Sequence, residues 1–433
     1  MGKNLQQTET SVWAIALPAV ALLAIAMASR GSFGLFVSPI NTSTGLGVAT
    51  ISFAIALSQL AWGIAQPIAG GLADRYGAAR VIAISAVALA VGHAVIPFAS
   101  TSTTLFFALA LIGLASAGAG GNAVLLGAVS RRVTAEQRGL AGGLVGAGGP
   151  IGQLVFAPGM QVIIATSGWM PAMFTLAVLP LAALPLATRF RAASPADSNL
   201  GDARRTQAER APREQVVPAT TAFTALRGAM LSASYWYVTM AFFVCGFHVS
   251  FLLAHMPGVI ELCGLSAAVS GASLAVMGLF NIASSVVSGL VIQRFPMRLT
   301  LAAIYALRGL GIAVFLMIPK TEITLLAFAI WMGLTYMATL PPTAGLIGRL
   351  FGTHHMGTLL GATMFVHQIG SFLGVWLGGV MREVAGGYDW VWRLDIFLAA
   401  AAALICLAIR EGSAESSETK PLAATEPRQA TTG

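Results

Sequence analysis

Charge is what this sequence has least of. Only 9% of its 433 residues are Asp, Glu, Lys or Arg, while 57% are hydrophobic and the mean hydropathy is +0.81. A soluble domain needs far more charge on its surface, so that class is excluded. Ten-residue segments of alternating polarity are missing too, which excludes an outer-membrane-type barrel. Cysteine is scarce. Cys245, Cys263 and Cys406 have no spacing that suggests a disulfide framework or a metal site, and they read as small apolar packing residues. There is no G-x-S-x-G elbow, no phosphate-binding glycine loop with lysine and no metal cluster, so nothing points to an enzyme or a cofactor. Outside the linker and termini the acids are Asp74, Glu136, Glu261, Glu322, Glu383, Asp389 and Asp395, and none falls at the centre of an apolar run.

In place of charge there is length of apolar run. Twelve segments, about 13–39, 49–71, 80–99, 103–128, 139–165, 169–188, 232–256, 267–291, 299–318, 322–346, 357–381 and 391–410, each approach the ~20 residues a helix needs to cross a bilayer. With a barrel excluded, helices are the remaining way to satisfy the backbone in hydrocarbon, so an all-α membrane protein is expected. Residues 189–231 interrupt the series. They hold Arg189, Arg191, Arg204, Arg205, Arg210, Arg213 and Arg227 among Ala, Ser, Pro and Asp, and read as a polar linker mostly without a fixed fold. The stretch after Arg410 reads the same way. The expected organisation is a six-helix bundle over 1–188, a cytoplasmic linker over 189–231, a second six-helix bundle over 232–410 and a cytoplasmic tail over 411–433. Ala26-Met27-Ala28 looks like a signal-peptide cleavage site, but the apolar run continues past Arg30 to Ile40, so this span is expected to be retained.

The net charge of +8 is no sign of nucleic-acid binding, because the basic residues lie in short loops between spans. With the N-terminus cytoplasmic, the inside carries Lys3, Arg75, Arg80, Arg131, Arg132, Arg138, the linker arginines, Arg294, Arg298, Arg349 and the tail bases. The outside carries only Lys320, Arg382 and Arg393. Both termini are therefore expected in the cytoplasm of a cell with a bacterial-type inner membrane.

Between the second and third spans stands Gly70-Gly71-Leu72-Ala73-Asp74-Arg75-Tyr76-Gly77-Ala78-Ala79-Arg80. Two apolar helices cannot leave these charges in hydrocarbon, so the turn belongs at a membrane surface. Gly70 and Gly71 suit close helix packing, Asp74 can accept from exposed helix-terminal amides, and Arg75 and Arg80 suit lipid headgroups. The chain also repeats itself. Gly70…Asp74-Arg75-Tyr76 is echoed by Gly289…Gln293-Arg294-Phe295, and Gly139…Gly143…Ile151-Gly152 by Gly357…Gly361…Ile369-Gly370, at nearly the same offset. The turn resembles the loop between helices 2 and 3 of the major facilitator superfamily. That resemblance implies two pseudo-symmetric six-helix bundles with helices 1, 4, 7 and 10 lining a central cavity, and a functional monomer. Gln293 stands where Asp74 stood, which suggests that the first loop does more of the gating.

A narrower resemblance, mainly over residues 30–175, is to the monocarboxylate transporter and oxalate–formate antiporter branch. It is carried by Ser32-Phe33-Gly34-Leu35-Phe36-Val37-Ser38-Pro39-Ile40, by Arg138-Gly139-Leu140-Ala141-Gly142-Gly143, by Ala147-Gly148-Gly149-Pro150-Ile151-Gly152-Gln153 and by Ala157-Pro158. Eukaryotic members of the branch carry an acid–arginine pair in helix 8. Here helix 8 has Asn281 and no charge, and Arg308 lies in helix 9. The stretch from Gly146 through Gly149 and Pro150 to Gly152 also resembles the glycine–proline signature of superfamily antiporters. It reads either as a bend or as packing alone. Gly70, Asp74, Arg75, Arg80, Arg138, Gly149 and Pro150 form the expected gating set.

A charge inside a span costs at least ~2.5–3.5 kcal/mol, so it needs a partner or a wet cavity. Arg30, deep in the first span, is the clearest case, and no acid in a span is an obvious partner for it. It reads as a cationic site for an anionic group such as a carboxylate, or as an arginine bonded to helix carbonyls. Arg308 reads equally as a structural contact. His248 and His367 are candidates to bind substrate or carry a proton. Asn122, Gln153, Asn281 and Tyr336 complete the candidate substrate-binding set, each being equally able to tie helices together. Asp395 is expected to pair with its neighbour Arg393, and Pro341-Pro342 to break helix 10. The reading is a secondary transporter of a small organic anion, a mono- or dicarboxylate, working by alternating access as a proton symporter or anion exchanger. Efflux of a hydrophobic compound and a transporter-like sensor are the alternatives.

Overall fold

The computed structural model describes residues 12–134, 137–191, 222–352 and 354–411. Among them are twelve helices long and apolar enough to cross a membrane. We number them α1 (Val12–Ser32), α2 (Val48–Tyr76), α3 (Ala78–Phe98), α4 (Ser102–Ser130), α5 (Leu140–Ser167), α6 (Trp169–Phe190), α7 (Ala233–Leu262), α8 (Ala267–Val291), α9 (Met297–Met317), α10 (Glu322–Phe351), α11 (Met356–Val384) and α12 (Asp389–Leu407). They match the twelve expected spans in number and order. With an even count, the described ends at Val12 and Glu411 lie at one end of the molecule, called here the terminus end.

Lipid offers no solvophobic drive between helices, so they associate where small residues let backbones approach. In the first bundle, a β-carbon on Gly152 of α5 would meet the backbone of Ala24 on α1. In the second, one on Gly374 of α11 would meet the backbone of Phe247 on α7. These are equivalent helix pairs, which is the internal repeat expressed as packing.

Four spans are interrupted, α6 among them by a 3-10 turn over Leu179–Ala182. α1 ends at Ser32 and resumes as the helix Gly34–Thr44, which carries the first span to the far end. α4 is broken at Gly121, whose backbone is extended (φ −70°, ψ 141°). α10 passes through a 3-10 turn over Met337–Thr339 before Pro341 and Pro342. The prolines lack the amides that would bond the carbonyls of Met337 and Ala338, and the hydroxyl of Ser288 on α8 donates to Ala338 at 2.6 Å instead. The expected break of helix 10 is thus a local tightening of the helix. By contrast, Pro150 and Pro158 sit inside a continuous helix, Arg138–Ser167.

The bundles meet at the end away from the termini. There Ser38 donates to Glu261 at 3.1 Å, the amide of Ala49 donates to Glu383 at 2.8 Å, and Phe53 meets Phe372 and Trp376 edge-on. Midway, Pro150 and Leu154 of α5 face Gly278 of α8, and Gly63 of α2 faces Gln368 of α11. Following the same helical stripes toward the terminus end, β-carbons on Gly143 and Gly146 of α5, Gly289 of α8, and Gly357 and Gly361 of α11 would meet nothing within 4 Å. The pair of bundles is therefore closed at the far end and parted at the terminus end.

The charged turn corrects two expectations. Asp74 is paired with the Arg131 guanidinium at 2.7 Å and not with helix-terminal amides. Gly70 approaches Ala123 of α4 and Gly71 faces open space, so neither packs α2 on α3. Arg75 lies over the Tyr76 ring at 5.2 Å, and Arg80 is exposed. Arg138 opens the helix leading into α5, and its side chain lies outside the described residues. In the second bundle Arg349 pairs with Glu411 at 3.2 Å, and Glu411 also accepts from the Arg298 amide at 2.6 Å. The first residue of the expected tail is thus tied down, and Ala222–Met230 of the expected linker is helical. Arg204, Arg205, Arg210 and Arg213 of the linker, and the tail after Glu411, lie outside the described residues.

Candidate functional site

Arg30 occupies the last turn of α1, one step before its interruption. Gly31 sets that turn against Gln153 of α5, at 3.4 Å from where its β-carbon would be. The guanidinium reaches α2. Its Nη2 donates to the side-chain carbonyl of Gln59, and its plane lies over the Trp62 ring, 3.8 Å from the centroid. Gln59 is neutral, so it orients the cation without cancelling its charge, and the indole face stabilises it further. The Nε and Nη1 of Arg30 are buried and have no hydrogen-bond partner among the described residues. Unpaired buried donors of this kind are costly, and each can be met by an anionic oxygen; a bidentate grip on a carboxylate would join one of them to the second N–H of Nη2.

Across the interface, Tyr336 of α10 and His367 of α11 lie within electrostatic reach of Arg30. The His367 ring leans on Phe242 with centroids 4.6 Å apart, and its Nδ1 is 3.2 Å from Nε2 of Gln368. Arg30, Tyr336 and His367 are therefore the expected site residues that the fold brings together. Asn122 is exposed and opens the second half of α4 beyond Gly121. There the side-chain carbonyl of Gln66 on α2 accepts from the Ala123 amide at 3.5 Å. Gln59, Trp62 and Gln66 share one face of α2 and run from Arg30 toward the α4 break.

None of the remaining expected residues bonds Arg30 among the described residues. Gln153 donates to the carbonyl of Leu274 on α8 at 2.9 Å, so its amide links the bundles. Asn281 is fully buried on α8, with neither end of its amide bonded among the described residues. Arg308 is also fully buried, and its Nη2 donates to the carbonyls of Thr335 and Tyr336 just before the 3-10 turn of α10. A 3-10 turn shifts the ladder from i+4 to i+3 and frees such carbonyls, and Arg308 takes them up. His248 faces Asp395, whose Oδ1 lies 3.3 Å from its Nε2. This overturns the expected Asp395–Arg393 pair. Asp395 points into the bundle and is fully buried, while Arg393 turns out over the Trp390 ring at 5.4 Å. Residues two apart in a helix point about 200° apart, to opposite sides, so they do not face each other. His93 and His255 hold the carbonyls of Leu89 and Val375 at 2.7 and 2.8 Å within their own bundles.

Sequence reasoning missed Gln59, Trp62 and Asp395. The first two were visible as a polar and an aromatic residue three apart on one helix face. Asp395 looked like a residue at the membrane edge because it stands near the outer end of its expected span, beside Arg393.

Twelve spans in two repeated bundles, with a polar centre between them, are the architecture of a membrane transporter. The family model for the Major Facilitator Superfamily matches residues 19–375, and the chain belongs to that superfamily. Among curated relatives, an uncharacterized MFS-type transporter, YcxA of Bacillus subtilis, is 23% identical over 378 residues, covering 85% of this chain and 88% of that protein. The oxalate:formate antiporter of Oxalobacter formigenes is 23% identical over 383 residues, covering 87% of this chain and 86% of that one. Monocarboxylate transporter 13 of Rattus norvegicus is 24% identical over 379 residues, covering 87% and 83%. Among solved structures, a D-xylose-proton symporter superposes with a TM-score of 0.72 at 13% identity, over 93% of this chain and 99% of that one. The inward-open xylose transporter XylE of E. coli superposes with a TM-score of 0.70 at 15% identity, over 92% and 96%. The chain is a multi-pass membrane transporter of a small molecule, similar in sequence to the monocarboxylate and oxalate–formate branch.

Proposed function

We propose that this protein is a secondary carrier of a small organic anion, a mono- or dicarboxylate, bound at Arg30 and moved by rocking the bundle over 1–188 against the bundle over 232–410. The observation that carries the reading is the state of the Arg30 guanidinium: oriented by Gln59 and Trp62, uncancelled by any acid among the described residues, and left with an unbonded Nε and Nη1 at the bundle interface. The names of two relatives, an oxalate:formate antiporter and a monocarboxylate transporter, point to the same substrate class. Tyr336 and His367 complete the site from the second bundle, so one ligand touches both halves, as alternating access requires. With the termini in the cytoplasm of a bacterial-type inner membrane, the parted end faces inward, and either a proton or a counter-anion accompanies the substrate. Nothing in the reading requires more than a monomer.

The test is thermal stabilisation of the purified protein by a panel of small carboxylates, in parallel on wild type and Arg30→Ala. A ligand that binds the native state raises its stability. A carboxylate that stabilises wild type but not the folded variant is the expected result. Equal stabilisation of both, or of neither, sinks the anion reading.

A further inference from the structure

Three ionisable side chains of the second bundle meet in its interior. His248 of α7, Arg308 of α9 and Asp395 of α12 are each fully buried. The Asp395 carboxylate stands 3.3 Å from the His248 ring, and the Arg308 guanidinium acts electrostatically on both. The hold of Arg308 on α10 uses only Nη2. Its Nε and Nη1, both Asp395 oxygens and both His248 nitrogens lack a well-formed hydrogen bond among the described residues. Support of the α10 turn thus explains Arg308 and leaves Asp395 and His248 unexplained. A well-packed apolar cluster would cost less than three such groups.

Five other titratable side chains lie near the cluster. Tyr305 of α9 donates to the carbonyl of Ala241, and the Cys245 thiol of α7 lies 3.2 Å from the Thr339 hydroxyl. Cys406 of α12 is a buried free thiol. Tyr336 of α10 and His367 of α11 lie within electrostatic reach of both Arg308 and Arg30.

Charge counting then gives the cluster a task. With Asp395 ionised and His248 neutral, Asp395 balances Arg308. One added proton leaves the cluster at net +1. A protonated carboxyl is a donor, and the neutral ring nitrogen facing it is an acceptor, so the pair has a place for that proton. Excess positive charge in a low-dielectric interior favours an anion nearby. We propose that the Asp395–His248 pair beside Arg308 is the proton-binding site of the carrier, and that proton uptake there and anion binding at Arg30 favour each other. This rests on the anion reading for its second half and makes the transport a proton–anion symport. The physical link is Tyr336, whose carbonyl Arg308 holds and whose ring belongs to the surroundings of Arg30.

The first experiment needs no substrate. Infrared difference spectra of the full-length protein in liposomes are recorded as pH is lowered. A carbonyl stretch of a newly protonated carboxylic acid is expected, lost in Asp395→Asn, shifted in Asp395→Glu, and shifted again in His248→Gln. Because Asp395→Glu keeps a carboxyl, it separates loss of the proton site from loss of folding. If every titrating carboxyl band survives in folded Asp395→Asn, the proton site is overturned, whatever the fate of the anion reading. In the second experiment, labelled oxalate and lactate are the probes in proteoliposomes. Asp395→Asn is expected to lose at least ten-fold of the accumulation driven by a proton gradient while retaining exchange at equal pH. Unchanged gradient-driven accumulation overturns the coupling.

Discussion

Gly34, just past the interruption of the first span, lies so close to the carbonyl of Leu253 on α7 that a β-carbon at that position would run into it. The contact crosses from one bundle to the other and belongs to the closed far end. A backbone carbonyl cannot swing aside as a flexible side chain can, so the approach depends on glycine. Gly34→Val is therefore expected to disfavour the state closed at the far end while leaving each bundle intact. Spin labels at Thr42 and Leu265, which line the two sides of that end, report it. Their distance distribution should shift to longer values in the variant. An unchanged distribution would show that the contact does not set the equilibrium.

Gln59 and Trp62 are expected to act on the anion through Arg30. Gln59→Leu removes the acceptor of a buried guanidinium N–H, a loss of about 1.5–3 kcal/mol for a hydrogen bond to a charged group. Trp62→Leu removes the ring beneath the cation, worth about 0.5–2 kcal/mol. Both variants should lower the stabilisation that a carboxylate gives without removing it, and Arg30→Lys, which keeps charge but not the fork, should do worse than either. If Gln59→Leu binds carboxylates as wild type does, the orientation of Arg30 is not what makes the site.

These two positions also mark where sequence reading stopped. The twelve spans, the repeat and the lone cation in the first span were legible because each is a matter of hydropathy or spacing along the chain. Gln59 and Trp62 were legible in principle, on one face of a helix already expected, but nothing in the sequence says which of several helices that face meets. Asp395 and Arg308 were the harder case. Their meeting with His248 depends on how α7, α9 and α12 pack, and a carboxylate six residues into a span looks the same in sequence whether it turns toward headgroups or toward the bundle core. The acid at the charged turn failed for a third reason: Asp74 had several possible partners, and the one it takes, Arg131, stands just past the end of α4.

The Asp74–Arg131 pair is expected to matter little for stability. Both side chains are well exposed, at 67% and 52%, and exposed ion pairs contribute at most about 1 kcal/mol. Asp74→Asn should melt within error of wild type in high salt, where the pair is screened in any case. If the pair instead biases the terminus end, the same variant should change the distance between spin labels placed on Arg80 and Arg294 at that end. A large loss of melting temperature with no change in that distance would make the turn a structural staple and not a gate.

Arg308 offers the opposite case, because it is fully buried and holds the backbone of α10 at its weakest point. Arg308→Met takes one donor from each of two carbonyls, although Tyr336 keeps the bond from the Thr339 hydroxyl at 3.2 Å, and leaves Asp395 without its counter-charge. Removing one partner of a buried pair costs about 3–5 kcal/mol. Arg308→Met with Asp395→Leu removes both charges together, so the double variant should be more stable than the single one, although the carbonyl of Thr335 still lacks the arginine. A double-mutant cycle, read by reversible unfolding in mixed micelles, measures the difference directly and should give a coupling of about 0.5–3 kcal/mol. Additive effects would mean that Arg308 serves only the helix break. In that case the neutrality argument for the proton site loses its cation, and Asp395 and His248 would have to hold their proton without help from α9.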